Sequence, residues 1–164
     1  MSDQHNGRYE DSDLYRIRHS SAHVMAESVL SLYPEAKLAI GPPIEDGFYY
    51  DFDFERPFRE EDLPRIEAKM KEMVEADIPF VRGEMSSAEA IALFEGRGED
   101  YKVELIRDLG AETVSIYSNG DFADLCRGPH IPSTGMVKAF RLMSSANLRA
   151  KSFAGLKCSR RPPS

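Results

Sequence analysis

Aromatic side chains occupy every second position in a short segment, Gly47 to Phe54. A period of two places one set of side chains on one face of a β-strand and the other set on the opposite face. A second strand-like run, Lys37 to Ile40, lies just before it. Gly41-Pro42-Pro43 and Glu45-Asp46-Gly47 supply turn residues between the two runs. The pattern therefore predicts a hairpin or meander of antiparallel strands.

Helical spacing of apolar residues predicts helices on both sides of these strands. Ser12 or Asp13 can cap a helix that runs to about Tyr33, where Pro34 ends it. A second helix begins near Glu60-Glu61-Asp62, since acidic residues are favoured in a first turn, and reaches about Asp77. Two shorter helices are expected at Ser87–Phe94, which opens with a capping box, and at Tyr101–Leu109.

Three more segments have the character of strands. They are Ile78–Gly83, a hairpin over Thr113–Leu125 with Asn119-Gly120 as its turn, and a last strand over Met136–Met143. Strands joined by hairpin turns, with the helices set apart from them, are typical of an α+β domain. We therefore expect a two-layer α+β fold with helices packed on one face of an antiparallel sheet.

Length and composition narrow the class of protein. The chain has 164 residues, about one compact domain, and is 41% hydrophobic. No apolar run approaches the roughly 20 residues that cross a bilayer, and the polar start has no signal-peptide pattern. Two cysteines are too few for a disulfide framework. We expect a cytoplasmic protein that has no membrane partner.

The charge of the chain is unevenly distributed. The net charge is −7, yet the five basic residues from Arg149 onward are accompanied by no acidic one, so residues 1–148 carry 16 basic and 28 acidic side chains, a balance of −12. Such a body cannot hold nucleic acid by charge alone. We expect a disordered leader at residues 1–12, a domain at 13–145, and an atypical basic tail at 146–164 that is disordered or truncated.

Three of the four histidines fall in two tight patterns. His19 and His23 are four residues apart, which makes them neighbours on one helix face. Cys126 and His130 are also four apart, on a Gly-Pro turn. Two such pairs could form one pocket with the nitrogen and sulfur ligands that zinc prefers. The glutamate of the His-Glu-x-x-His motif is missing, because Ser20 follows His19, and this disfavours a metalloprotease.

Each part of this pattern also has an ordinary structural explanation. Paired histidines on an amphipathic helix arise by chance, and a lone cysteine is more often a small buried apolar residue than a reactive one. Lys102 could be a solvated surface lysine, and Asp124 an acid in a turn. The joint pattern favours a functional pocket, because nearly all the histidine of the chain is placed in it.

Four blocks of the sequence, taken in order, closely resemble the editing domain of bacterial threonyl-tRNA synthetases. The blocks are His19-x-x-x-His23, Ala39-Ile40-Gly41-Pro42-Pro43 with Gly47-Phe48-Tyr49-Tyr50-Asp51, Arg97-Gly98-Glu99-Asp100-Tyr101-Lys102-Val103, and Asp124-Leu125-Cys126-Arg127-Gly128-Pro129-His130. The resemblance covers about residues 14–145 and ends after about Ser145. The related editing domain of alanyl-tRNA synthetases shares the two His/Cys pairs. The family's fold has two layers, with helices against an antiparallel sheet.

The resemblance implies hydrolysis of the ester that links serine to a mischarged threonine tRNA. It implies that His19 is the general base, that His23, Cys126 and His130 line the pocket, and that Lys102 is functional. Asp124 would receive the α-ammonium of the seryl group. The implied partners are the acceptor end of tRNA, with its aminoacylated terminal adenosine, and the remaining synthetase domains if the chain is part of a longer protein. We expect no ATP-dependent ligase activity from this chain alone.

Zinc and two other functions remain open at this point. The alanyl-type relatives use the His/His/Cys/His set as metal ligands, whereas the threonyl-type pocket works without metal, so we expect no metal and keep zinc as the alternative. One rival function is a free-standing, zinc-dependent trans-editing deacylase. The other is a non-catalytic tRNA-binding module.

Overall fold

The computed structural model describes residues 8, 11–38, 43–44, 47–56, 58–137, 140–148 and 153–159. The α-helices among them are α1 (Asp13–Leu32), α2 (Asp62–Glu75), α3 (Ser87–Gly96) and α4 (Asp100–Leu109). The strands are β1 (Lys37–Leu38), β2 (Pro43–Ile44), β3 (Gly47–Asp53), β4 (Val81–Ser86), β5 (Thr113–Asn119), β6 (Phe122–Leu125), β7 (Arg141–Leu148) and β8 (Phe153–Ser159). None of the helices in these ranges has the length and apolar character needed to cross a membrane.

Side-chain caps begin two of the helices where the sequence predicts them. The Ser12 hydroxyl accepts a hydrogen bond from the Tyr15 amide at 3.1 Å at the start of α1, and Ser86 does the same for Glu89 at 3.2 Å at the start of α3. Each cap supplies an acceptor for an amide that the helix itself leaves unpaired. Pro34 follows the end of α1, as predicted.

The α+β class is confirmed, with the strands divided between two antiparallel sheets. The first sheet has the order β1-β3-β8-β7, with β2 also paired to β3, and the second has the order β4-β5-β6. The hairpin of β5 and β6 turns at Gly120, where φ is +60°, a conformation that glycine adopts without strain.

Each sheet has its own apolar core. In the first, α1 and α2 pack over β3, and the aromatic face of that strand is buried as its alternation predicts; Phe52 is fully buried. In the second, α3 and α4 pack over β5, with Phe94 and Ile116 in the centre. Fully burying an aromatic side chain contributes about 1.5–3 kcal/mol, so these two clusters fix the helices on their sheets.

The structure differs from the sequence-based expectation after residue 133. Residues 134–136 form a 3₁₀ turn, and strands β7 and β8 follow, whereas we expected one last strand at Met136–Met143 and, from residue 146, a basic tail that is disordered or truncated. β8 pairs with β3 along its length. The physical reason is that the free edge of β3 needs partners for its amides and carbonyls, and residues 153–159 supply them.

Other sequence expectations are shifted or lie outside the described ranges. The strand expected from Ile78 begins at Val81, because the Ile78 amide donates to the Thr134 hydroxyl at 2.8 Å instead of entering the sheet. Residues 39–42, 45–46 and 160–164, and most of the expected leader, lie outside the part of the chain that the structure describes.

Candidate active site

The two His/Cys pairs come together although they are more than 100 residues apart in the chain. His19 and His23 lie on α1, and Cys126 and His130 lie on the turn that leaves β6. One ligand atom from each of the four lies within 4.8 Å of the others. We call these four side chains the His/Cys cluster. It joins the two cores, because α1 packs in the first and β6 borders the second.

His19 is held in one tautomer by the backbone of the turn. Its Nδ1 lies 3.2 Å from the carbonyl oxygen of Pro129, and since a carbonyl can only accept, Nδ1 carries the proton. The lone pair of the other nitrogen, Nε2, therefore faces the cluster, 3.2 Å from the sulfur of Cys126. Burial lowers the pKa of His19 from 6.5, so the ring is neutral at pH 7.

His130 is held in place by Ser20, for which the sequence predicted no role in the site. Ser20 Oγ accepts a hydrogen bond from the Ile131 amide at 3.0 Å and lies 2.9 Å from Nδ1 of His130. The His130 ring also stacks on Phe80, with 4.9 Å between centroids. Burial in this setting lowers the pKa of His130 far below its usual value, so it too is neutral.

Cys126 lies between the two imidazoles. Its sulfur is 3.3 Å from Nε2 of His130 and accepts a hydrogen bond from the Gly128 amide at 3.2 Å. Burial raises the pKa of the thiol to about 12. Because the thiolate is the nucleophilic form, Cys126 is a neutral polar wall of the site rather than an activated nucleophile.

A buried ionic layer lies behind the cluster. Asp124 is 2% exposed; Lys102 donates to its Oδ1, Tyr50 donates to its Oδ2 at 3.3 Å, and His23 Nε2 is 3.6 Å from Oδ2. Burial alone would raise the pKa of Asp124, but the Lys102 ammonium and the other partners outweigh it and lower the pKa below 3.8. Burial lowers the pKa of His23 to about 4.

The ionic layer extends to a second carboxylate, Glu99. Its Oε2 lies 3.4 Å from the Lys102 ammonium and has no hydrogen-bond partner within the described residues. Burial raises the pKa of Glu99, and the Lys102 charge opposes this rise. All six side chains singled out from the sequence thus lie within this cluster or its ionic layer.

Sequence reasoning missed four side chains that build the site. Tyr50, Glu99, Ser20 and Tyr117 contact the six predicted residues. Glu99 had a usable signal, since it lies three residues before Lys102 at the start of a predicted helix. Tyr50 belongs to the buried face of the aromatic strand, but its contact with Asp124 depends on how the two sheets meet, and no local pattern encodes that.

The turn that carries Cys126 and His130 lies against Tyr117. Gly128 has a φ of +77°, and a Cβ built there would lie 2.8 Å from two ring carbons of Tyr117, with the hydroxyl closer still. The Tyr117 ring also contacts His130, with 4.4 Å between centroids. Only glycine meets both demands, a positive φ and this close approach.

The donor set of the cluster fits a zinc ion. Zinc binds imidazole at about 2.0–2.1 Å and thiolate at about 2.3 Å, so neighbouring ligand atoms of a tetrahedral site are about 3.3–3.8 Å apart. The two sulfur-to-nitrogen distances around Cys126, 3.2 and 3.3 Å, are close to this range. His23 Nδ1 is buried and has no hydrogen-bond partner in the described ranges, which agrees with a donor that could serve a bound group.

An apolar cavity of about 370 Å³ adjoins the cluster. Leu105 and Leu109 of α4 line one side, and Cys126 and Arg127 line the other. Its size lies within the range of small-molecule pockets. There is therefore room beside Cys126 for a further part of a bound molecule.

Residues 114–153 match the family described as the threonyl and alanyl tRNA synthetase second additional domain. These residues include Asp124, Cys126 and His130 of the site. The match covers part of the chain and makes that part similar to a second additional domain of the tRNA synthetase type.

The chain is also similar to several bacterial threonine--tRNA ligases. The chain is 62% identical over 130 residues to the threonine--tRNA ligase of Geobacter sp. (strain M21), covering 79% of this chain and 20% of that protein. It is 60% identical over 140 residues to that of Nitratidesulfovibrio vulgaris (strain DP4), covering 84% and 22%, and 58% over 131 residues to that of Hahella chejuensis, covering 79% and 21%. The resemblance to bacterial threonyl-tRNA synthetases is confirmed. The chain spans about a fifth of the length of these relatives.

Proposed function

We propose that this domain hydrolyses the ester that links serine to a mischarged threonine tRNA, as part of a threonyl-tRNA synthetase in the cytoplasm. The observation that carries the proposal is the His/Cys cluster, in which neutral imidazoles surround one small site next to a buried carboxylate. Serine lacks one methyl group of threonine, and the loss of that contact weakens binding to the synthetic site by only about 1–3 kcal/mol. A second site that hydrolyses the seryl ester would therefore improve the accuracy of aminoacylation.

His19 is the general base of this proposal. The Pro129 carbonyl holds its proton on Nδ1, so Nε2 carries the lone pair, which takes a proton from water in place of its contact with the Cys126 sulfur. Its lowered pKa keeps the ring in the basic form at neutral pH. Attack of that water on the ester carbon expels the ribose hydroxyl, to which the proton is returned.

The other five side chains hold the substrate and the water. Asp124 receives the α-ammonium, because it is the buried carboxylate nearest the cluster, and Lys102 holds that carboxylate in position through its hydrogen bond to Oδ1. His23, Cys126 and His130 supply neutral donors and acceptors that orient the water and the ribose.

The tRNA is held largely by parts other than this domain, since residues 1–148 carry a net −12. The partners are thus the acceptor end of tRNA with its aminoacylated adenosine and the remaining synthetase domains. The 130 matched residues cover about a fifth of such a synthetase, and ATP-dependent ligation belongs to the rest of it.

We propose that the hydrolysis needs no metal. The favoured alternative is a zinc-dependent deacylase, because the donor set fits zinc; His19, His23, Cys126 and His130 would then hold the ion. A bound zinc ion would supply Lewis-acid activation of a water molecule. In that case the thiol of Cys126 would be ionised by the metal despite its raised pKa.

The test compares His19→Ala with wild type and with Ser31→Ala, an exposed position on the same helix. Deacylation of threonine tRNA that has been mischarged with serine is followed at low salt. The affinity for tRNA is measured by titration, and the zinc content is measured in protein purified without chelator. His19→Ala should slow hydrolysis by about 10²–10⁴-fold with binding unchanged, because a general base supplies that much.

Three results would count against the proposal. Wild-type protein that binds tRNA without hydrolysing the ester would favour the non-catalytic module. A His19→Ala protein as active as Ser31→Ala would refute the role of His19. One zinc ion per chain, lost together with activity on chelation, would establish the zinc-dependent alternative.

A further inference from the structure

We propose that Glu99 is a specificity-determining residue: it neutralises Lys102, leaves Asp124 free to attract a cation, and so restricts the site to esters of amino acids that carry a free α-ammonium. This inference rests on the proposed function, because it names which esters the site accepts. Glu99 contacts neither the His/Cys cluster nor any reacting atom, and it acts through Lys102.

The position of Glu99 is set by the start of α4. The residue is 5% exposed, and its backbone carbonyl accepts the hydrogen bond of the Lys102 amide at 3.1 Å. One turn of helix therefore carries both side chains into the same interior space, and the carboxylate lies 3.4 Å from the Lys102 ammonium. Glu99 is one of the few acidic side chains buried in the described part of the chain.

The charges of this layer do not cancel. Lys102 contributes one positive charge, while Asp124 and Glu99 contribute one negative charge each. Lys102 is 3% exposed, so the layer is shielded from water and each charge acts strongly on its neighbours. Arg97 also acts on Glu99, but it is exposed and lies outside the buried layer. Within the layer one negative charge is in excess, and a further cation beside it would be stabilised, since a buried charge without a partner is costly.

Asp124 and Lys102 without Glu99 would not leave this excess negative charge. Lys102 donates to one of its oxygens, so without Glu99 the two residues would form a neutral ion pair. A neutral pair attracts an ammonium only through its dipole, which is weaker than the attraction of a carboxylate whose charge is not balanced. With Glu99 also paired to Lys102, one negative charge of the layer remains uncompensated, and Asp124 is the member of the layer that lies next to His23.

Asp124 also has the hydrogen-bonding capacity for one more donor. A carboxylate offers about four lone-pair sites. Lys102 occupies one, the Tyr50 hydroxyl, at 3.3 Å, occupies another, and the Leu125 amide occupies a third. A substrate ammonium can use the site that remains.

The experiment compares two esters of the same tRNA, one with serine and one with glyceric acid, in which a hydroxyl replaces the α-amino group. Deacylation by the 164-residue chain is measured for wild type, Glu99→Gln and Glu104→Gln. Glu104 is exposed on the same helix, so its substitution removes an equal charge without touching the ionic layer. Circular dichroism and a thermal unfolding midpoint establish that each variant is folded.

Wild type and Glu104→Gln should prefer the seryl ester, and Glu99→Gln should lose about tenfold of that preference, because one buried charge near the ammonium is removed. The loss should come from a raised KM for the seryl ester, with kcat nearly unchanged and the glyceryl ester unaffected. If Glu99→Gln slowed both esters equally, Glu99 would have only a structural role and the inference would be refuted.

Failure of this inference can be told apart from failure of the proposed function. Wild-type protein that hydrolyses neither ester would overturn both. Wild-type protein that hydrolyses the seryl ester, with the same preference in Glu99→Gln as in Glu104→Gln, would overturn the inference alone.

Discussion

Gly128→Ala should destabilise the fold through two independent effects at the turn that carries Cys126 and His130. The backbone there has a φ of +77°, and the left-handed conformation costs a residue with a Cβ about 1–2 kcal/mol. The new Cβ would also lie 2.8 Å from two Tyr117 ring carbons, and overpacking of this kind costs about 1–3 kcal/mol. The expected loss of unfolding free energy is therefore about 2–5 kcal/mol.

The two effects can be separated by a second glycine. Gly110, at the end of α4, has a φ of +59° and nothing within 4 Å of a built Cβ, so Gly110→Ala measures the backbone strain alone, about 1–2 kcal/mol. The gain from a less flexible unfolded chain is the same for both substitutions and cancels in the comparison. Equilibrium urea unfolding at pH 7 gives both values.

A rescue experiment identifies the side chain responsible. In a Tyr117→Leu background the ring that crowds the turn is gone, so the cost of Gly128→Ala should fall to that of Gly110→Ala. The reasoning is wrong if Gly128→Ala and Gly110→Ala have equal costs in the wild-type background, or if Tyr117→Leu leaves the difference unchanged.

Two further predictions concern titration and a helix start. The pKa of His23 is lowered from 6.5 to about 4 in the fold, so the unfolded chain binds the extra proton between these values, and His23 alone should lower the stability by about 3 kcal/mol as pH falls from about 6.5 to 4. His19 and His130, whose pKa values are also lowered, add to this fall. Urea unfolding at several pH values should show this slope, and His23→Gln should reduce it; an unchanged slope would contradict the assignment. Asp62→Asn should cost about 1–3 kcal/mol, because the buried Asp62 carboxylate accepts from Arg56, Tyr33 and the Arg59 amide at the start of α2. Asp108→Asn, on an exposed face, is the control for that measurement, and an equal effect of the two would refute the explanation.

Local signals predicted most of the secondary structure of this chain. Ser12, Ser86 and Gly120 act through contacts within a few residues, and a sequence pattern contains all of that information. The aromatic alternation of β3 predicted its buried face for the same reason. The division into two sheets was not predicted, because it depends on which strand edges meet after the chain has turned many times.

The site shows the same boundary between local and tertiary information. His19 and His23, and likewise Cys126 and His130, are pairs at a spacing that a helix or a tight turn makes meaningful. The meeting of the two pairs is a tertiary contact; their ligand chemistry suggested it, and the family resemblance implied it. Tyr50 and Ser20 contact Asp124 and His130, but neither lies at a spacing in the sequence that indicates such a contact. Only the folded structure shows their role.

The hydrogen bonds between α1 and the turn after β6 join residues about 110 positions apart in the sequence. A nascent chain therefore cannot assemble the His/Cys cluster until nearly the whole domain has been synthesised and its two cores have docked. Under the proposed function, any opening that separates α1 from the turn would stop hydrolysis while each core stays intact. Ester cleavage should consequently report on docking of the two halves, and should be lost before helix content during gentle denaturation.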